Sequence, residues 1–160
     1  MKYVPLLSAS LLALGVAATA HADTLKKVAD SGKLTLAYRE SSVPFSYVEG
    51  PGKPLGFSMD IANAVVQEVK KRTGKPVLEI EYIPVTSQNR IPLLVNGTID
   101  LECGSTTNNS TRAKDVSFAI NHFYTGTRLL AKKSSRLKNY ADLEHKTVAS
   151  TTGTTNSQVM

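Results

Sequence analysis

The sequence predicts an α/β fold with a mostly parallel sheet. Three observations predict it. Short runs of strand formers alternate with segments of helical period. Glycine, proline or asparagine marks most of the junctions between them. Hydroxyl residues and arginines recur just beyond the strand runs, at the end where ligands of such sheets bind.

The elements follow in order. Thr24 is placed to cap a short helix, LKKVADS, that Gly32 ends. KLTLAYR, 33–39, alternates and predicts the first strand. The stretch 42–58 carries Pro44, Gly50, Pro51, Gly52, Pro54 and Gly56 and predicts a turn-rich loop or hairpin. From a Ser58 cap to a Gly74 stop, Ile61, Ala64, Val65 and Val69 recur at helical spacing. VLEIEYIPV, 77–85, predicts the second strand. RIPLLVNG predicts a short helix, with Pro92 in its first turn and Gly97 closing it. IDLEC, 99–103, predicts the third strand; TRLLAKK (127–133) and KTVAS (146–150) predict the fourth and fifth, with a short helix from Asn139 between them.

The first 22 residues have the form of an export signal. Lys2 supplies the positive end, residues 6–19 are largely apolar, and Ala20-His21-Ala22 is a small-x-small cleavage site, so the mature chain is expected to start at Asp23. The formal charge is +6 over 160 residues, spread as single and paired lysines and arginines, with few aromatic residues and no tryptophan. Nucleic-acid binders concentrate such charge on one face, often with aromatics, so this partner class is not expected. Cys103 is the one cysteine. It lies in an apolar strand, which predicts a small core residue. His122 and His145 lack the spacing of a triad or a metal site, and no nucleotide or metal motif occurs. Neither a catalytic residue nor a cofactor is expected.

The informative residues cluster after three strands. Arg39 ends the first, Ser87 and Arg90 follow the second, and ECGSTTNNSTR, 102–112, follows the third with Ser105, Thr107 and Arg112. Arginine grips carboxylates and phosphates through paired hydrogen bonds and stays charged at working pH. Serine and threonine add short donors. Together they predict a polar pocket for a small anion, either a ligand with two carboxylates or a phosphate. The plain reading of each residue, a solvated arginine or an ordinary turn hydroxyl, applies to any one alone; their convergence argues against it.

RESSVPFSY, TSQNRIPLLVNGTIDLECGSTTNNSTR, GTRLLAKK and the late TTGTT resemble the glutamate/aspartate branch of the type II periplasmic binding proteins, solute-binding protein family 3, which serve ABC amino acid importers. The resemblance runs from about Leu25 to the chain's end. It implies two α/β lobes joined by a hinge, with 23–124 as an incomplete lobe one and 125–160 as the crossing strand and the start of lobe two. It implies that Ser105, Thr107 and Arg112 grip a ligand's α-carboxylate. Arg39, Ser87 and Arg90 match residues placed for its side-chain carboxylate, and Thr154 and Thr155 match the lobe-two contribution. L-glutamate or L-aspartate, a permease in the inner membrane, a periplasmic location and a monomeric state are the corresponding expectations.

The family runs to nearly twice this length, and the aspartate expected to pair with the ligand's ammonium has no counterpart in the 160 residues. The expectation is a fragment or a truncated product, with 23–160 alone binding weakly or not at all. Two alternatives from other classes stand beside the receptor: an exported enzyme on the same fold, resembling cyclohexadienyl dehydratases, with Glu40 as its candidate acid; and a sensor-like interaction module or non-functional piece.

Overall fold

The structure, a computed structural model, describes residues 23–159. The expected signal segment lies outside them. Helix α1 spans Thr24–Ser31. Its cap is Asp23, one residue before the expected threonine: the Asp23 carboxylate accepts the Lys26 N–H at 3.1 Å. A carboxylate adds charge to the cap, and negative charge is favoured at the free N–H groups of a first turn. Strand β1 (Lys33–Tyr38) follows, then a small antiparallel hairpin, β2 (Ser41–Ser42) and β3 (Ser46–Tyr47), formed from the proline- and glycine-rich stretch.

Helix α2 (Phe57–Thr73) starts one residue before the expected cap, with Gly56 preceding it. Ser58 caps nothing. It is buried inside the helix and donates its hydroxyl to Gly104 O at 2.7 Å. The buried face also differs from the expected stripe. Met59, Ala62 and Val66 are buried and Val69 packs beside them, whereas Ala64 and Val65 face outward. Both stripes have helical spacing, so period alone could not choose between them. The surface offered by Val28, Leu34, Leu36 and Leu78 decides, because α2 packs over it.

Strand β4 (Glu79–Pro84), helix α3 (Arg90–Val95) and strand β5 (Leu101–Glu102) complete the regular part. The sheet order is β4–β1–β5, all parallel, with Leu36 opposite both Tyr82 and Leu101. Leu34, Thr35, Leu36 and Ala37 of β1 are all buried. Such burial on both faces is typical of a central parallel strand. One core forms under α1 and α2; a smaller one of Ala37, Val85 and Ile99 lies on the opposite face.

The expected strands at 127–133 and 146–150 are not strands. Both segments run without a ladder, and Leu130 is fully exposed. A strand exists only through a neighbour that takes its backbone hydrogen bonds, and no described strand pairs with either segment. The turn between them does form, as a 3-10 turn Tyr140–Leu143. There Asn139 accepts the N–H groups of Ala141 and Asp142, and Asp142 accepts that of Asn139.

The short β5 edge depends on one side chain. The Asp100 carboxylate is 4% exposed and accepts the Thr35 N–H at 2.9 Å, while Lys27 reaches its other oxygen at 2.7 Å. A carboxylate thus replaces a ladder acceptor for a buried backbone donor. Asp100→Ala should therefore destabilise the protein by about 1–3 kcal/mol. Lys27→Ala removes a half-exposed ammonium that also donates to Gly97 O at 3.2 Å, and should cost less, about 1 kcal/mol. Urea denaturation of both variants checks this; equal losses would contradict it.

Candidate functional site

The carboxyl ends of β1, β4 and β5 meet along one edge because all three strands run the same way. Arg39 directly follows β1, and its Nη1 donates to Ser87 Oγ at 2.9 Å. Ser87 is buried in the turn between β4 and α3. That turn is held by Asn89, whose Oδ1 accepts the Thr86 N–H at 2.8 Å, and by Thr86, whose hydroxyl accepts the N–H groups of Gln88 and Asn89. Arg90, the first residue of α3, is only 2% exposed. The sequence thus packs a serine and a guanidinium from one turn against the end of the central strand.

Ser105 and Thr107 follow β5. The Ser105 hydroxyl meets Ser42 Oγ at 2.7 Å, a partner in the hairpin that the sequence did not single out. Arg112 opens a short 3-10 turn (Arg112–Lys114) that Asn109 fixes by accepting its N–H at 2.9 Å. Its guanidinium donates to Thr107 O at 2.9 Å and to Gly153 O at 3.0 Å. Thr155 meets Thr107, hydroxyl to hydroxyl, at 3.4 Å. Thr154 is turned away and donates to Thr151 O within its own turn. Of the two late threonines, only Thr155 reaches the edge by a hydrogen bond.

The late turn docks closely. Gly153 has φ +79°, and a Cβ there would lie 2.7 Å from both Gln88 Cα and Ser87 O. A cavity of about 350 Å³ opens between this turn and the strand ends, with Arg39, Ser87, Gln88, Thr151 and Thr152 among its walls. Glu40 also lines it and is exposed.

Charge dominates the edge. Arg39, Arg90 and Arg112 are near enough that the other two oppose the charge on Arg90. Burial, the largest influence, together with this repulsion holds Arg90 down to about 10 against the partial support of Glu102. Glu102 is the important residue that the sequence reading missed. Its side chain is 5% exposed and one oxygen lies 3.9 Å from Arg90 Nη1, within Coulombic range but beyond a hydrogen bond. The signal was present in its place beside Cys103, but alternation marks it only as a polar position.

Two other residues are clear. Burial pushes the Cys103 thiol up to about 12, so it is not a nucleophile at neutral pH. His122 is exposed and contacts Ser58 Oγ at 3.2 Å. Among the described residues no group of histidine, cysteine and carboxylate side chains could hold a metal.

Three parallel strands thus bring guanidiniums and hydroxyls to one edge. The chain belongs to the bacterial extracellular solute-binding proteins, family 3, which match residues 34–155. It is 50% identical over 154 residues to the glutamate/aspartate import solute-binding protein of Escherichia coli strain K12, covering 96% of this chain and 51% of that protein. It is 48% identical over 153 residues to the L-glutamate/L-aspartate-binding protein of Pseudomonas aeruginosa, covering 95% of this chain and 51% of that one. The structure is similar to the crystal structure of an ancestral amino acid-binding protein, a precursor of cyclohexadienyl dehydratase. There the TM-score is 0.72 and the identity 28%, over 85% of this chain and 59% of that one. The fold is the type II periplasmic binding protein fold in part: the chain spans about half the length of the curated relatives it matches.

The docking of the late turn generates a prediction. Gly153→Ala adds a Cβ against backbone and holds alanine at a positive φ, a conformation that alone costs about 1–2 kcal/mol. Amide exchange over residues 151–158 should rise roughly tenfold or more, with β1 unchanged. Hydrogen exchange read by mass spectrometry checks this, and unchanged exchange over the turn would contradict it.

Proposed function

We propose that this chain is the gripping part of an exported receptor that captures acidic amino acids, glutamate or aspartate, and passes them to the permease of an ABC importer. The observation that carries the reading is the gathering of Arg39, Arg90 and Arg112 with the hydroxyls of Ser87, Ser105 and Thr107 at one sheet edge. A ligand with two carboxylates needs two anion sites. In this reading Arg112, Ser105 and Thr107 take the α-carboxylate, while Arg39, Ser87 and Arg90 take the side-chain carboxylate. Thr155 contributes from the late turn. The names of the relatives support the ligand class, and none of the two curated relatives described above is named as an enzyme, which supports capture without a chemical step. The signal-like N-terminus and membership of an extracellular family support export, and a monomer suits a lobed clamp.

Calorimetry with glutamate, aspartate and glutamine tests the reading on protein purified from the source cells. Arg112→Ala should abolish binding of all three, because each carries an α-carboxylate. Arg90→Ala should weaken glutamate by about 2–5 kcal/mol, roughly 30- to 4,000-fold, and glutamine far less. Equal losses for the two ligands would remove the side-chain assignment.

Arg90 also gives a pH signature. Its pKa is lowered from the ordinary arginine value to about 10 in the folded protein. An anionic ligand favours the charged form, so binding raises that pKa again. Above about pH 10 binding must therefore take up a proton and glutamate affinity should fall; near pH 7 the arginine is already charged and no uptake should occur at it. Without ligand the sign reverses for folding: stability contributed by this group rises with pH above about 10, where the unfolded chain still holds the proton. Calorimetry in buffers of different ionisation enthalpy, with Arg90→Gln as the reference, separates the uptake from that of other groups. A pH-independent difference between the two proteins would contradict the role.

A further inference from the structure

The ligand reading leaves one buried charge at the edge without a part to play. Glu102 Oε2 accepts the Thr106 hydroxyl at 2.7 Å. Among the described residues its Oε1 has no hydrogen-bond partner, and neither do Nε and Nη1 of Arg90, although Oε1 and Nη1 are only 3.9 Å apart. An arginine–carboxylate pair that serves stability closes to direct, usually paired, hydrogen bonds of about 2.7–2.9 Å. Thr106 ties back one oxygen. Beside the other, Gly104 leaves room that a side chain would fill, since a Cβ there would lie 2.5 Å from Oε1. The carboxylate therefore lends its charge to Arg90 without taking the arginine's free donors.

We propose that Glu102 is a specificity-determining residue: a built-in counter-anion that offsets the charge on Arg90 when no ligand is bound, leaves the arginine's donors unpaired, and tempers the preference for a ligand carboxylate over a carboxamide. This rests on the acidic amino acid reading above. A fixed negative charge beside Arg90 makes the local potential less positive. A ligand carboxylate feels that reduction in full, and a neutral carboxamide feels little of it. Without ligand the same charge offsets the repulsion that Arg39 and Arg112 exert on Arg90.

Glu102→Gln keeps the shape and removes the charge. The ratio of glutamine Kd to glutamate Kd should rise at least tenfold. The ligand-free melting temperature should fall, and the shift produced by saturating glutamate should exceed that of the wild type. A residue acting only in packing would weaken both ligands together and leave the ratio where it was. The measurement is calorimetry and thermal melting on wild-type and E102Q protein expressed from its own gene and purified from the cell envelope. If the wild type binds neither ligand, the receptor reading fails and takes this proposal with it. If the wild type binds and the ratio is unmoved or lower in E102Q, this proposal alone is overturned. Should E102Q not fold when empty, it is purified in saturating glutamate and the ratio is read by displacement with glutamine. Failure to fold even then also overturns the proposal, because the ligand's own anion is meant to suffice as counter-charge.

Discussion

Everything at the site depends on β1 being the central strand of a parallel triplet. Because β4, β1 and β5 run in one direction, the chain leaving each of them emerges on the same edge. Residues 39, 87 to 90 and 105 to 112 are far apart in sequence, yet no other element has to bend to unite them. The cost is that β1 is buried on both faces, so its donors and acceptors must all be met. The Asp100 carboxylate meets one of them where the β5 ladder is too short to do so. The site and the sheet edge are thus held by the same short strand.

Gathering three guanidiniums at that edge runs against electrostatics. Burial and like charge both disfavour the charged form of Arg90, and its lowered pKa expresses this opposition. Proteins keep such groups when the missing partner arrives with a ligand. The unpaired donors of Arg90 fit that pattern. Arg112 shows the other solution. Its guanidinium rests on two backbone carbonyls, those of Thr107 and Gly153, which carry only partial charge.

Much of this was legible in the sequence, and the failures have particular causes. The strand–helix alternation, the glycine ends of α1 and α2 and the clustering of Arg39, Ser87, Arg90, Ser105, Thr107 and Arg112 after three strands could be read directly. The face of α2 could not, because two apolar stripes share one period and only the opposing sheet selects between them. Strands at 127–133 and 146–150 were expected from composition, but pairing is a tertiary property and no described neighbour supplies it. Glu102 was missed because alternation in IDLEC tells which residues share a side of the strand. It does not tell whether that side faces solvent. Asp100 and Glu102 share the polar side, and both side chains are almost fully buried.

That pair of buried carboxylates separates two uses of one residue type. Asp100 satisfies a backbone N–H and a lysine, so every strong acceptor it offers is used. It behaves as part of the ladder. Glu102, two residues on, satisfies one hydroxyl and leaves an oxygen facing an arginine that it does not touch. If Glu102 were merely structural, a small shift toward Arg90 would gain a charge-assisted hydrogen bond at once. The hydrogen bond from Thr106 opposes that shift. A carboxylate tied to Thr106 and standing 3.9 Å from Arg90 Nη1 compensates the arginine's charge while leaving those donors unpaired.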